Sequence, residues 1–116
     1  MFTPDGVYDV RGQALHGHAD IRAALDALSG PELTVRHLLT NLHVHAIADS
    51  VAHGVSCLTG YAGPTPTETG PARYPAANAG HIIQVTDRYE RHDGRWRIAH
   101  RIAEELLAPA IPVFRT

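Results

Sequence analysis

The chain has 116 residues, 44% of them apolar, with ten basic side chains, all arginine, against twelve acidic ones, a net charge of −2. That length makes one domain with a single core, and the near-neutral balance argues against a nucleic-acid footprint. A single cysteine, Cys57, excludes an internal disulfide, no apolar run reaches membrane-spanning length and no charged-then-apolar leader is visible, so the expected compartment is a reducing cytoplasm.

Met1 to Gly6 reads as a turn-rich entry, with Pro4-Asp5-Gly6 supplying the turn chemistry, and Val7 to Val10 as a short strand. Arg11-Gly12-Gln13 is a bend and Ala14 to His16 a second short strand. Gly17 leads into a helix over His18 to Leu28, whose Ile21, Ala24, Leu25 and Leu28 form one apolar stripe. Ser29-Gly30-Pro31 ends it. Thr34 to Ile47 is a long strand, and the turn at Ala48-Asp49-Ser50 returns it as another, Val51 to Tyr61. Gly63 to Asn78, rich in Pro, Gly and Thr, is expected to be a long loop. Two further strands from His81 to Ile102 are joined by Asp93-Gly94, since glycine accepts the positive φ of a two-residue hairpin turn. Glu104 to Thr116 is a tail in which Pro109 and Pro112 prevent a regular helix. Its apolar Leu106, Leu107, Ile111, Val113 and Phe114 suit docking on its own sheet or on a partner subunit.

Strand alternation assigns faces within the last hairpin. Ile83, Val85, Asp87 and Tyr89 share one face, as do Trp96, Ile98, His100 and Ile102, while Arg95, Arg97, Ala99 and Arg101 point the other way. A two-residue turn then sets His100 directly opposite Asp87.

The hairpin segment RYERHDGRWRIAHR, preceded in order by FTPDGVYDV, LHGHADIRAAL and TVRHLLTNLHV, resembles the SnoaL-like branch of the nuclear-transport-factor-2-like superfamily. Scytalone dehydratase, ketosteroid isomerase and polyketide cyclases are relatives. The resemblance implies an α+β fold, a curved antiparallel sheet forming a cone over a helix and a pocket (a cystatin-like α+β barrel). It covers residues 1–103 as the domain, with 104–116 as the tail. Members normally carry an N-terminal helix that covers the pocket mouth or one wall, and in the dehydratase and isomerase branches supplies acidic and tyrosine groups. Here Met1 stands directly before the first strand signal. Either this start is internal to a longer reading frame, or the protein works without that wall.

The candidate chemistry lies on the expected pocket face. His37 matches the position of the pocket histidine of scytalone-dehydratase-like members, and an imidazole there can move a proton beside a carbonyl. Asn41, four residues on and on the same face as Leu39 by alternation, can orient a substrate oxygen. The Tyr8 hydroxyl, sharing a face with Val10, can polarise a carbonyl. Asp87, between apolar neighbours, has the environment of a base that removes a carbon-bound proton. His37, Tyr8 and Asp87 are therefore the candidate catalytic residues, and Asn41, Val10, Leu39, Val85, Trp96, Ile98 and His100 the candidate substrate contacts. Each has a plainer reading. His37 and His100 can be hydrogen-bonded packing histidines, Tyr8 pocket wall, Asn41 a partner for backbone, Asp87 an ion-pair partner of His100 or a guanidinium, and Trp96 core.

Nine histidines are many for this length. His16-x-His18 and His43-x-His45 have the spacing that puts two rings on one strand face, and His53 or His81 would complete a metal site. His18 is expected to begin the helix, no Cys or Glu stands near, and the family has no general metal requirement, so no metal and no cofactor are expected.

Three classes of function follow. The first is a small-molecule enzyme, a dehydratase, isomerase or cyclase transferring protons on a hydrophobic carbonyl compound. The second is a binding protein using the same cone without chemistry. The third is a structural subunit resembling the small subunits of ring-hydroxylating dioxygenases, with Arg88, Arg95, Arg97 and Arg101 at an interface or simply solvated. A hydrophobic small-molecule ligand and a homodimer through the outer sheet face are the expected partners, and neither nucleic acid nor membrane.

Overall fold

The structure, a computed structural model, describes residues 1–28, 33–64 and 80–107. Seven elements follow in order: β1 (Phe2–Val10), β2 (Gln13–His16), α1 (Gly17–Leu28), β3 (Leu33–Ala48), β4 (Val51–Pro64), β5 (His81–His92) and β6 (Arg95–Leu107). The strands form one curved sheet in the order β2-β1-β6-β5-β4-β3. It is mixed, which corrects the all-antiparallel expectation: β1 lies parallel to β6, while every other neighbouring pair is antiparallel. Parallel neighbours need a long connection, and here it is the whole of the intervening chain, from β2 to β5. The fold is α+β.

Helix α1 packs on β1 and β2, and we call the sheet face it covers the inner face. Its Ile21 is buried against Phe2 and Ile98, with Tyr8, Leu15 and Tyr89 packed around them. The His18 Nε2 lies 2.9 Å from the Phe2 carbonyl oxygen, which ties the first helical turn to β1. Leu25, on the expected stripe, is exposed. Ser29 to Pro31, most of the expected loop up to Asn78, and the tail from Ala108 onward lie outside the described residues.

The strands are longer than their patterns. β1 begins at Phe2, since the Ile98 backbone N–H donates to the Met1 carbonyl at 2.8 Å. The Pro4-Asp5-Gly6 turn is absorbed into β1 as a bulge, between the partner pairs Phe2 with Ile98 and Val7 with His100. β6 continues to Leu107, where it pairs with Ile82, past the expected start of the tail at Glu104.

Two further bulges decide which side chains share a face. In β6 the pairing steps from Arg88 with His100 to Tyr89 with Ile98, so Ala99 is the extra residue. In β3 it steps from Thr40 with Cys57 to His43 with Val55 around Asn41, whose φ is 54°. Asparagine tolerates that left-handed backbone better than most residues. The bulge inverts the alternation: His37, Leu39, Val44 and Ala46 line the inner face, opposite Gly60, Leu58, Gly54 and Ala52, while His43 and His45 turn outward.

Asn41→Val forces a β-branched side chain into the left-handed region. It is expected to lower the urea unfolding free energy by about 1–3 kcal/mol, whereas Asn41→Gly leaves it within about 0.5 kcal/mol.

Candidate functional site

The Ala99 bulge builds a polar row across the middle of the inner face. The turn at Asp93-Gly94 has two residues, as expected, with His92 opposite Arg95. Uninterrupted, that register would put His100 opposite Asp87. The extra residue moves it by one, so Arg101 faces Asp87 and His100 faces Arg88 on the outer side. This corrects both the expected Asp87–His100 pairing and the expected solvated face for Arg101. Tyr8 of β1 sits beside Arg101, and Gly54 of β4 beside Asp87. The row therefore reads Tyr8, Arg101, Asp87, Gly54 across four strands.

Its contacts are tight. Arg101 donates through Nε to Asp87 Oδ1 at 2.7 Å and through Nη2 to Oδ2 at 2.9 Å. The Tyr89 hydroxyl donates to the same Oδ2 at 2.9 Å. The two charged side chains are 17% and 2% exposed for Arg101 and Asp87, so the forked pair is desolvated and geometrically specific. The guanidinium also lies over the Phe2 ring, 6.0 Å from its centroid, and Phe2 stacks on Tyr8 at 5.7 Å. Gly54 makes room for Tyr89: a Cβ there would fall 2.7 Å from the Tyr89 ring.

Burial raises the Tyr8 hydroxyl above its ordinary value; Arg101 opposes the rise and Asp87 adds to it. Tyr89 is pushed up to about 12, first by burial, then by its hydrogen bond to Asp87 and by that residue's charge. The hydrogen bond to Asp87 raises Arg101 still further. Both tyrosines are thus neutral hydroxyl donors across the physiological range. Both Asp87 oxygens are engaged, and of the readings drawn from sequence the ion pair with a guanidinium is the one present, with Arg101 as the partner.

His37 stands apart. It is exposed on the inner face, with its ring over Gly60; a side chain there would meet the imidazole at 3.4 Å. Asp87 pairs with Gly54 and His37 with Gly60, positions separated along β4 by about 20 Å at roughly 3.3 Å per residue. The structure therefore brings Tyr8 and Asp87 together, and leaves His37 at the other end of the face.

The candidate contacts divide similarly. Leu39 lies beside Leu58 near His37 and is 51% exposed. Val10, Ala103 and Val85 form one row, in which Val85 is 1% exposed, and Ile98 belongs to the core under α1. Val85 and Ile98 are packing residues, because β6 and the helix leave them no open surface. Trp96, expected in the core, is 46% exposed at the hairpin end with the Arg91 guanidinium 5.5 Å from its ring. Asn41 is the bulge residue, so alternation no longer carries its side chain to the His37 face. His100 is on the outer face with a buried Nε2 that has no hydrogen-bond partner among the described residues.

Arg101 and Tyr89 were the residues sequence reasoning missed. Tyr89 was legible, two residues from Asp87 on one strand. The glycines at 54 and 60 were also a signal, since glycine inside a strand marks a close approach. Arg101 was hidden by the bulge.

This geometry can be set beside known proteins. A profile of the SnoaL-like domain matches residues 1–102. The chain belongs to the SnoaL-like family. No curated protein matches it. Among solved structures, the hexachlorocyclohexane dehydrochlorinase LinA-type3 of Novosphingobium barchaimii is similar at TM-score 0.72 and 17% identity, over 96% of this chain and 73% of that one. A protein of Mycobacterium tuberculosis described as of unknown function, Rv3472, is similar at TM-score 0.72 and 26% identity, over 99% of this chain and 64% of that one. A Caulobacter vibrioides protein with a cystatin-like fold aligns over 100% of this chain and 80% of that one, at TM-score 0.69 and 21% identity.

Two predictions follow from the Asp87 network. Arg101→Met strands a buried carboxylate and is expected to cost about 3–5 kcal/mol of unfolding free energy in urea. Tyr89 has its folded-state value raised above the ordinary 10, so its contribution is complete below about pH 10 and is lost as pH climbs to about 12. The urea midpoint of the parent is expected to fall across that window, and Tyr89→Phe to remove that part of the fall.

Proposed function

We propose that this SnoaL-like protein binds a hydrophobic small molecule in a cone-shaped pocket on the inner face, and moves a proton on it without a cofactor. The ligand is a carbonyl compound and the reaction a dehydration, isomerisation or cyclisation. The observation that carries this reading is His37, an imidazole presented on the open half of the inner face over Gly60 and next to the exposed apolar Leu39. There it meets ligand without first breaking a packed contact, and an imidazole can both accept and return a proton. Tyr8, a neutral donor beside Arg101, lies at the other end of the face, too far to hold the same carbonyl group as His37. Asp87 holds that donor row in place. The dehydrochlorinase among the structural relatives is named for an elimination, and an elimination can share the same first step, removal of a carbon-bound proton by a base.

A second reading is a non-catalytic binding or assembly subunit, favoured by the engagement of both Asp87 oxygens. In either reading the copies pair as a homodimer through the outer face in the cytoplasm. The exposed Leu38 and Val55 on that face give it apolar surface. Among the described residues no helix is long and apolar enough to cross a membrane.

The test is deuterium exchange at the carbon beside the carbonyl of a panel of hydrophobic ketones, followed by NMR. The parent is expected to catalyse exchange, and His37→Ala to lower the rate about 100-fold with an unchanged urea midpoint. Ketones that bind without exchanging would favour the second reading, and a His37→Ala variant that exchanges like the parent would remove His37 from the chemistry.

A further inference from the structure

The Asn41 bulge has a second consequence on the opposite side of the sheet. It turns His43 and His45 outward together, and the β3–β4 register sets His53 directly across from His45. The ring centroids are 6.1 Å apart for His43 and His45, and 5.8 Å for His45 and His53. His43 and His45 are exposed and His53 is half-buried, on two strands with a fixed register. We propose that His43, His45 and His53 form a binding site for a divalent transition-metal ion on the outer face of β3 and β4.

The chemistry of the donors supports it. Three imidazoles suit zinc, nickel or copper, with water completing the coordination. Two imidazoles bound to one ion at metal–nitrogen distances of about 2.0–2.1 Å have centroids about 5 Å apart in tetrahedral geometry and about 6 Å when opposed. The two spacings at His45 fall in that range, and closing on an ion requires His43 and His45 to rotate from exposed positions and His53 from a half-buried one. No set of three such donors is already converged among the described residues, so the rings close on the ion as it binds. The cationic neighbour on β5 is Arg88, paired across from His53, and its Nε is already held by Glu90 at 3.0 Å. Glu90 also takes His92 at 3.1 Å, and these are the charged groups of β5 nearest the site. A bound ion would fasten the edge strand β3 to β4. It lies on the opposite sheet face from His37, so it is separate from the proposed pocket, but it shares the outer face with the proposed dimer contact, where Val55 pairs with His43.

The experiment is calorimetric titration of the tag-free full chain with zinc chloride, and separately with nickel chloride, at pH 7.5 and pH 5.5. One equivalent is expected to bind at pH 7.5, with affinity falling at least 10-fold at pH 5.5, because protonated imidazole is no ligand. His43→Ala, His45→Ala and His53→Ala are each expected to weaken binding at least 10-fold, while His16→Ala and His92→Ala leave it unchanged. Thermal melting in the presence of a chelator shows whether each variant is folded. No saturable binding at pH 7.5 overturns the proposal, as does binding that survives the three substitutions or is equally weakened by His16→Ala or His92→Ala.

Discussion

The forked ion pair between Asp87 and Arg101 is the constraint on which the arrangement of the inner face depends. Neither charge is solvated well enough to stand alone, and removing one partner of such a pair costs several kcal/mol although the pair itself contributes little net stability. Its value is positional. The pair exists only if β6 meets β5 one residue out of the register that the Asp93-Gly94 turn initiates, so it selects the Ala99 bulge over an unbroken ladder. A straight ladder would put His100 opposite Asp87 and turn Arg101 outward. The bulge also keeps Ile98 on the same face as Arg101, where it closes the core with Phe2 and Ile21.

The pair reaches outward through aromatic contacts. Phe2 sits between the guanidinium and the Tyr8 ring, and Tyr89 covers Gly54 while donating to Asp87. Polar row and apolar core are therefore one packed unit under α1. Beyond it β3 and β4 extend as a long hairpin with no helix of the described residues over it, and Leu39, Leu42 and Val44 remain exposed. Among the described residues the inner face thus has a packed half under α1 and an open apolar half on β3 and β4.

Much of this was legible in the sequence. The helix, the four long strands, the Asp93-Gly94 turn and the SnoaL-like resemblance all follow from periodicity, turn chemistry and ordered motifs. The wrong face assignments share one cause. Alternation assigns faces correctly only while register is unbroken, and a single extra residue inverts every assignment beyond it. Arg101 was read outward and His100 inward because Ala99 carries no turn signature. Asn41 was read as a pocket residue because its left-handed backbone is invisible to a period-two pattern. The parallel pairing of β1 with β6 was hidden because it joins the two ends of the described chain, where no local rule applies. Trp96 illustrates a different limit: a large aromatic is assigned to the core by size, but among the described residues the hairpin end has no second layer to bury it.

The same magnitudes decide what Asp87 can do. A positioned general base contributes typically 10² to 10⁴-fold to rate. For Asp87 to act as one, it must accept a proton, which neutralises the partner of a largely buried guanidinium. The penalty for such an orphaned charge, about 3–5 kcal/mol, corresponds to roughly 10² to 10⁴-fold at 1.36 kcal/mol per decade. Gain and penalty are of the same size. The buried carboxylate organises donors, fixing the Arg101 fork and the Tyr89 hydroxyl, and His37 stands apart from that network on the exposed half of the face.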